Sequence, residues 1–397
     1  MEFPYSSLRR WPDVEAENLQ AYDATDLLLV QRVLALQTPG GEIAVIGDEY
    51  GAITLALISA GLDGVRVHQD LATGRRALTR NAEQLGLSGF ASHELDAGLL
   101  DGVRLVLLQL PKSLAELEEI ADAVARWAAP DVVLVAGGRV KHMTLAQNEV
   151  LARMFAVVQA ERAERKSRLV VAREPMPVAA EPPFPVRADH DGLMLVAHGG
   201  AFAGARLDIG TRVLLDVLGL RRPQLRTDAA ESAENAPIRS ETARSSRVVD
   251  SGQAQTVVDL GCGTGALAVS YALAHPHARV IATDRSAAAV ASARATAASN
   301  GVADRVAVTH DDAASELPDG SADVVLLNPP FHLGTSIHTG AATRLFEAAA
   351  RILRPGGELF TVYNSSLGYR AELSRVVGAT EQLHRTPKFT VTRSIRG

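Results

Sequence analysis

A single cysteine, Cys262, occurs in 397 residues, so no intramolecular disulfide can form, and a reducing compartment suits the chain. Aromatic residues reach only 4%, which leaves few rings on which nucleobases could stack. No apolar run is long enough to span a bilayer. The first twenty residues carry Glu2, Arg9, Arg10, Asp13, Glu15 and Glu17 without an apolar stretch. No secretory signal is therefore expected, and a cytoplasmic location is. Metal-ligand clusters, the phosphate loop G-x-x-x-x-G-K-[ST] and the nucleophile elbow G-x-S-x-G are all missing. Those absences disfavour a disulfide scaffold, a membrane protein, a metalloenzyme, a P-loop nucleotidase and an α/β-hydrolase. A net charge of -6 also speaks against nucleic acid as a partner, unless a local basic patch is hidden in the bulk balance.

What is present suits two buried α/β domains: 47% hydrophobic and 22% charged residues in a chain long for one unit. In the second half, apolar runs at Thr256–Leu260, Arg279–Thr283, Val306–Thr309, Asp323–Leu327 and Glu358–Tyr363 alternate with helical stretches. One of these helices, Thr343–Leu353, is stopped by Pro355-Gly356-Gly357, and Lys388–Ile395 alternates like a final antiparallel strand. The fold class expected is α/β, doubly wound and Rossmann-like, with a seven-stranded sheet ending in an antiparallel strand.

The first half repeats the plan. Glu42–Ile53 lies over Thr256 onward, placing Gly47 on Gly261 and Gly51 on Gly265, while Asp70 falls on Asp284. Gln109-Leu110-Pro111-Lys112 then stands opposite Asn328-Pro329-Pro330-Phe331, and Ala129-Pro130 parallels the later proline-glycine break. In this copy Glu49 replaces Gly263 and Val45 replaces Asp259. A carboxylate with extra bulk then stands where a cofactor would touch backbone, so this copy reads as a degenerate domain without cofactor.

The motif Asp259-Leu260-Gly261-Cys262-Gly263-Thr264-Gly265 closes the first strand of the second copy. Alternate glycines let the chain turn sharply into a helix while backbone N–H groups face a ligand. A dinucleotide loop G-x-G-x-x-G is the rival, but Gly265 comes one residue too early, and the spacing fits S-adenosylmethionine better. Asp284, with Arg285 beside it, ends the next strand, where a carboxylate can accept from ribose hydroxyls. Either Asp311 or Asp312 is expected at the adenine amine, Asp312 being preferred, with a helix cap or solvated turn as the alternative. Cys262 reads as a small packing residue beside the cofactor.

Asn328-Pro329-Pro330-Phe331 follows the apolar run Ala322–Leu327. A nitrogen conjugated with a ring is a poor nucleophile. The side-chain oxygen of Asn328 and the carbonyl of Pro329 can accept its N–H bonds, aim its lone pair and stabilise the charge that grows on it. Prolines 329 and 330 fix the turn. Phe331 offers a face for a flipped-out base. His332 is as readily structural as functional. With the upstream glycine motif, this is the layout of a methyltransferase acting on a planar exocyclic nitrogen.

Asn328-Pro329-Pro330-Phe331-His332-Leu333-Gly334, Leu345-Phe346-Glu347-Ala348-Ala349 and Gly356-Gly357-Glu358-Leu359 together resemble the bacterial ribosomal RNA guanine-N2 methyltransferases. Ala201-Phe202-Ala203-Gly204-Ala205-Arg206-Leu207-Asp208-Ile209-Gly210-Thr211 is similar to the family segment that helps cover the cofactor, which adds Asp208 to the cofactor set. The resemblance implies two tandem methyltransferase-like domains, the first lacking cofactor and recruiting RNA. The expected division is 1–172 degenerate, 173–189 linker, and 190–397 catalytic, with a flexible insertion at 221–255 whose Arg239, Arg244 and Arg247 could approach RNA. Partners are then ribosomal RNA or a ribosomal subunit, with no membrane and no metal. Arg139, Lys141, His142, Arg165, Lys166 and Arg168 are the candidate RNA contacts, in a stretch with eight Lys/Arg against three Glu between Arg139 and Arg173. Alternatives are adenine-N6 or glutamine-N5 transfer, a nicotinamide oxidoreductase, or a ribosome-binding assembly factor with vestigial catalysis.

Overall fold

The computed structural model describes residues 3–13, 15–16, 19–221, 254–330 and 339–397. Most of the expected insertion, with Arg239, Arg244 and Arg247, and also Phe331, His332, Leu333 and Gly334, lie outside the described residues. The chain forms two compact units: Met1–Pro185 with His198–Gly200 and Ser286–Ala288, and Val186–Ala197 with Ala201–Arg285 and Ala289–Gly397.

The first unit contains β1 (Ile43–Ile46), β2 (Val65–His68), β3 (Phe90–Ser92), β4 (Leu105–Gln109), β5 (Val133–Arg139), β6 (Phe155–Ala160) and β7 (Ser167–Pro175). Its sheet has seven strands in the order β3-β2-β1-β4-β5-β7-β6. The second unit begins with a hairpin of β8 (Val186–His190) and β9 (Leu193–Ala197). It continues with β10 (Thr256–Leu260), β11 (Arg279–Asp284), β12 (Val306–His310), β13 (Ala322–Leu327), β14 (Leu353–Asn364), β15 (Thr380–Arg385) and β16 (Phe389–Ile395). The order of its seven-stranded sheet, β12-β11-β10-β13-β14-β16-β15, repeats that of the first unit strand for strand.

The apolar runs have a simple cause. Val257, Val324 and Leu326 belong to one core cluster, while Val258, Leu260, Val325 and Leu327 belong to another. Successive residues point to opposite faces and both faces are covered, so a parallel strand must be apolar throughout. The expected final antiparallel strand is β16, which runs antiparallel to β14 on one side and to β15 on the other.

Two expectations need correction. The segment 173–189 is not an extended connector throughout, because Arg173–Pro175 completes β7 and Val186 starts β8. The break at Pro355-Gly356-Gly357 does not precede the fifth strand but lies within β14, where the pairing with β13 shifts register. Among the described residues no helix is long and apolar enough to cross a membrane.

Candidate active site

Neighbouring strands bring the site residues to one edge of the second sheet. Leu260 is in register with Thr283 and with Leu327, and Asp284 with His310. The residues that follow β10, β11, β12 and β13 therefore emerge side by side at the carboxyl ends of parallel strands, where open α/β sheets place their ligands.

The glycine loop turns through left-handed backbone at Gly263 (φ +53°) and Gly265 (φ +78°). These two glycines serve different ends. A Cβ on Gly265 would lie 3.0 Å from Ala293 Cβ and 3.1 Å from its Cα, so this glycine lets the helix Ala266–Ala274 pack against Ala287–Ser299. A Cβ on Gly263 would meet no atom within 4 Å, so this position leaves backbone open to close approach. Thr283 O accepts from the amides of Gly261 (2.9 Å) and Cys262 (3.0 Å), and Asp284 Oδ2 accepts from Gly263 N at 2.9 Å. Asp284 is half-buried and Arg285 exposed.

The motif places Asp259 among the cofactor residues, whereas its carboxylate is 1% exposed and accepts from Ala268 N at 2.9 Å, inside the helix that follows the loop. It anchors the loop from behind. Burial pushes its carboxyl up to about 7, and the charge of Asp284 adds to the rise. Burial, then Asp284 and Asp259, likewise raise the Cys262 thiol well above its usual range, so the side chain is a protonated packing group. The Asp311 oxygens accept from Ser315 Oγ (2.6 Å) and Glu316 N (2.9 Å), which makes Asp311 a turn cap. Asp312 is buried and ion-paired with Arg344. Among the described residues no group of His, Cys, Asp or Glu is placed to hold a metal ion.

Asn328 leaves the end of β13 half-buried, followed by buried Pro329 and exposed Pro330. Its Nδ2 donates to Asp208 Oδ2 at 3.1 Å and to Thr211 Oγ1 at 2.9 Å. Its Oδ1 is buried and meets no hydrogen-bond donor among the described residues. Asp208, assigned to the cofactor from sequence, thus faces Asn328 and also caps the helix Ile209–Val217 by accepting from Thr211 N at 3.2 Å. Thr211 is not among the residues the sequence singles out for the site, because its part in the cap is only its backbone N–H and its hydroxyl meets Asn328 across the fold.

The family model "Methyltransferase small domain" matches residues 245–393, and "RLMG N-terminal domain" matches 2–176. The chain is 33% identical to a Streptomyces coelicolor protein named ribosomal RNA large subunit methyltransferase G, covering 98% of this chain and 97% of that one. It is 34% identical to a protein of the same name from Ectopseudomonas mendocina, over 98% of both chains. The chain belongs to the ribosomal RNA large subunit methyltransferase G family. Its fold is also that of the T. thermophilus 16S rRNA N2 methyltransferase RsmC, solved with AdoMet and guanosine, at a TM-score of 0.68 and 23% identity over 94% of this chain and 92% of that one.

In the part matching the RLMG N-terminal domain, the loop after β1 keeps Gly47 and Gly51 but fills its interior differently. The carboxylate lost at Val45 reappears at Asp48, fully buried, accepting from Gly51 N (3.1 Å) and Thr54 N (2.8 Å). The helix anchor is therefore retained from a new position, not removed. Glu49 is exposed where the other copy has Gly263. Tyr50 donates to Asp13 Oδ2 at 2.8 Å beneath the Arg10 guanidinium, 4.7 Å from the ring centre. Gln109, opposite Asn328 in the repeat, donates through Nε2 to Asp26.

The two basic stretches of this unit meet. Gly138 pairs with Arg168 and Arg139 with Ser167, and Val140 N donates to Lys166 O at 3.0 Å. Lys141, His142, Arg165 and Lys166 are exposed, while Arg139 and Arg168 are half-buried. Arg139 lies 3.6 Å from Asp23 and Arg165 3.6 Å from Glu164, so both cations are partly compensated.

Proposed function

We propose that this protein transfers the methyl group of S-adenosylmethionine to the exocyclic N2 of a guanine in large-subunit ribosomal RNA. The observation that carries this reading is the Asn328 side chain, whose amide N–H groups are both engaged and whose buried oxygen has no donor among the described residues. A buried acceptor left unpaired is costly, and an incoming N–H removes that cost. The amine of a guanine is such a donor. Oδ1 of Asn328, with the carbonyl of Pro329 as a second acceptor, holds the two N–H bonds so that the nitrogen lone pair is directed at the methyl group rather than delocalised into the ring. Both acceptors also favour the positive charge that develops on nitrogen.

The glycine loop fits the cofactor. Open space at Gly261 and Gly263 admits a ligand against the backbone, and Asp284 at the end of β11 accepts from ribose hydroxyls. Asp312 and Arg285 flank the adenosine, and Asp259 and Asp311 shape the wall from behind. When bound, the sulfonium supplies an electrophilic methyl group, so the chain's own residues need only position the amine. The first unit presents Arg139, Lys141, His142, Arg165, Lys166 and Arg168 to RNA phosphates, in the cytoplasm where ribosomes work. Mass mapping of modified nucleosides in large-subunit RNA from cells lacking this protein tests the reading. One N2-methylguanosine should disappear; an unchanged map would refute it.

A further inference from the structure

We propose that Asp208 and Thr211 are positioning residues that lock the Asn328 amide with its oxygen facing the substrate, and that this lock is what Asp208 contributes in place of cofactor contact. The inference rests on Asn328 being the acceptor for the guanine amine. A primary amide has an acceptor end and a donor end of nearly the same size, so packing alone does not choose between them. Only one end serves here. With the amide reversed, Nδ2 would meet the guanine N–H that Oδ1 is to accept and repel it.

The surroundings make the choice chemically. An ionised carboxylate has acceptors and no donor. Asp208 Oδ2, 3.1 Å from Nδ2, therefore accepts from the NH2 end and disfavours the reversed amide, in which two oxygens would face each other. Thr211 Oγ1 takes the second N–H at 2.9 Å. Both donors are then spent on the protein, and Oδ1 is left over.

The lock is itself held. Asp208 Oδ2 also accepts from Thr211 N at 3.2 Å as the helix cap. The helix Ile209–Val217 is fastened by Leu214 and Leu215, both essentially without exposure. The first unit carries the same tie. Its helix Ala24–Leu36 is capped by Asp23, and Asp26, three residues on, receives the Nε2 of Gln109 at the end of β4. An amide at the end of the fourth strand, joined to the N-terminal turn of the helix that precedes the first strand of its sheet, is thus built into both copies, and the second copy uses it to orient a reacting group.

The test is single-turnover methyl transfer by the full chain, with labelled S-adenosylmethionine and large-subunit RNA from cells lacking the protein. Asp208→Gly removes the acceptor while glycine still serves at a helix cap. The transfer rate should fall about 10- to 100-fold, the equivalent of one hydrogen bond to a charged group. Cofactor affinity by calorimetry should change little, and Asp208→Asn, which keeps an acceptor, should restore part of the rate. In an Asn328→Ala background the Asp208→Gly change should have no further effect, because the group it orients is gone. Thr211→Val, which leaves the cap intact, should follow the same cycle and serves if Asp208→Gly does not fold. Equal losses in both backgrounds, or lost cofactor affinity with an unchanged rate at saturation, would overturn the proposal. If Asn328→Ala alone leaves the rate unchanged, the reading of Asn328 itself fails; if it slows transfer and Asp208→Gly does not, only the lock fails.

Discussion

Replacing Gly263 or Gly265 with alanine is the same chemical change two residues apart, and the structure predicts opposite consequences. Both glycines have left-handed backbone, where a side chain costs roughly 1–2 kcal/mol. At Gly263 nothing more is added, because the new methyl meets no atom within 4 Å. At Gly265 it lies 3.0 Å from Ala293 Cβ and 3.1 Å from its Cα, where backbone must shift. Overpacking of that kind adds about 1–3 kcal/mol. For a unit of this size each kcal/mol lowers the melting temperature by about 2–4 °C. Gly265→Ala should therefore melt several degrees below Gly263→Ala. Affinity should run the other way. In the proposed cofactor site Gly263→Ala puts its methyl against the ligand, and binding should weaken about 5- to 150-fold if the clash costs as much as core overpacking. Below its melting range Gly265→Ala should bind nearly as the parent does. Calorimetric titration with S-adenosylmethionine, beside thermal melts, reads both. Parent-like affinity in Gly263→Ala, or equal melting of the two variants, would refute the division of labour in this loop.

Asp259 gives a pH test. Its folded pKa of about 7 lies above the ordinary 3.8, so its contribution to stability is complete at low pH and is lost as pH rises through the folded value. Asp259→Asn keeps an acceptor for Ala268 N and should flatten the decline in stability between pH about 4 and 7; melting curves that stay parallel from pH 5 to 8 would contradict this. For the basic surface, joint replacement of Lys141, Arg165 and Lys166 by alanine should lower the slope of log affinity against log salt by about 2, at somewhat under one unit for each phosphate no longer neutralised. An unchanged slope in filter binding would place the RNA surface elsewhere.

Much of the architecture was legible because parallel strands buried on both faces must be apolar along their length. Each candidate site residue then marks where such a run stops, as at Gly261, Asp284 and Asn328. Elements that obey other rules were harder to see. The β8–β9 hairpin turns on Asp191-Gly192, at φ +57° and +82°, a two-residue hairpin signal that proline-rich surroundings obscured. The edge strand β15 is largely polar and without buried residues, so it shows no alternation. Residue type alone could not separate Asp311 from Asp312, since one caps its own turn and the other pairs with Arg344. Asp48 replaces the anchoring role of Asp259 from a different loop position, which a column-by-column comparison of the repeats reads as a loss. The tie between Thr211 and Asn328 spans 117 residues, and no local pattern reports a contact that only the folded sheet creates.

In the proposed reaction the Asn328 oxygen receives the guanine amine. Single-turnover transfer to large-subunit RNA by Asn328→Ala, with cofactor affinity measured on the same preparation, tests this step. Loss of one preorganised partner of developing charge should slow transfer by about 10²- to 10³-fold, with S-adenosylmethionine bound within a few-fold of the parent. An undiminished rate, or a methyl group delivered to any atom other than N2, would contradict it.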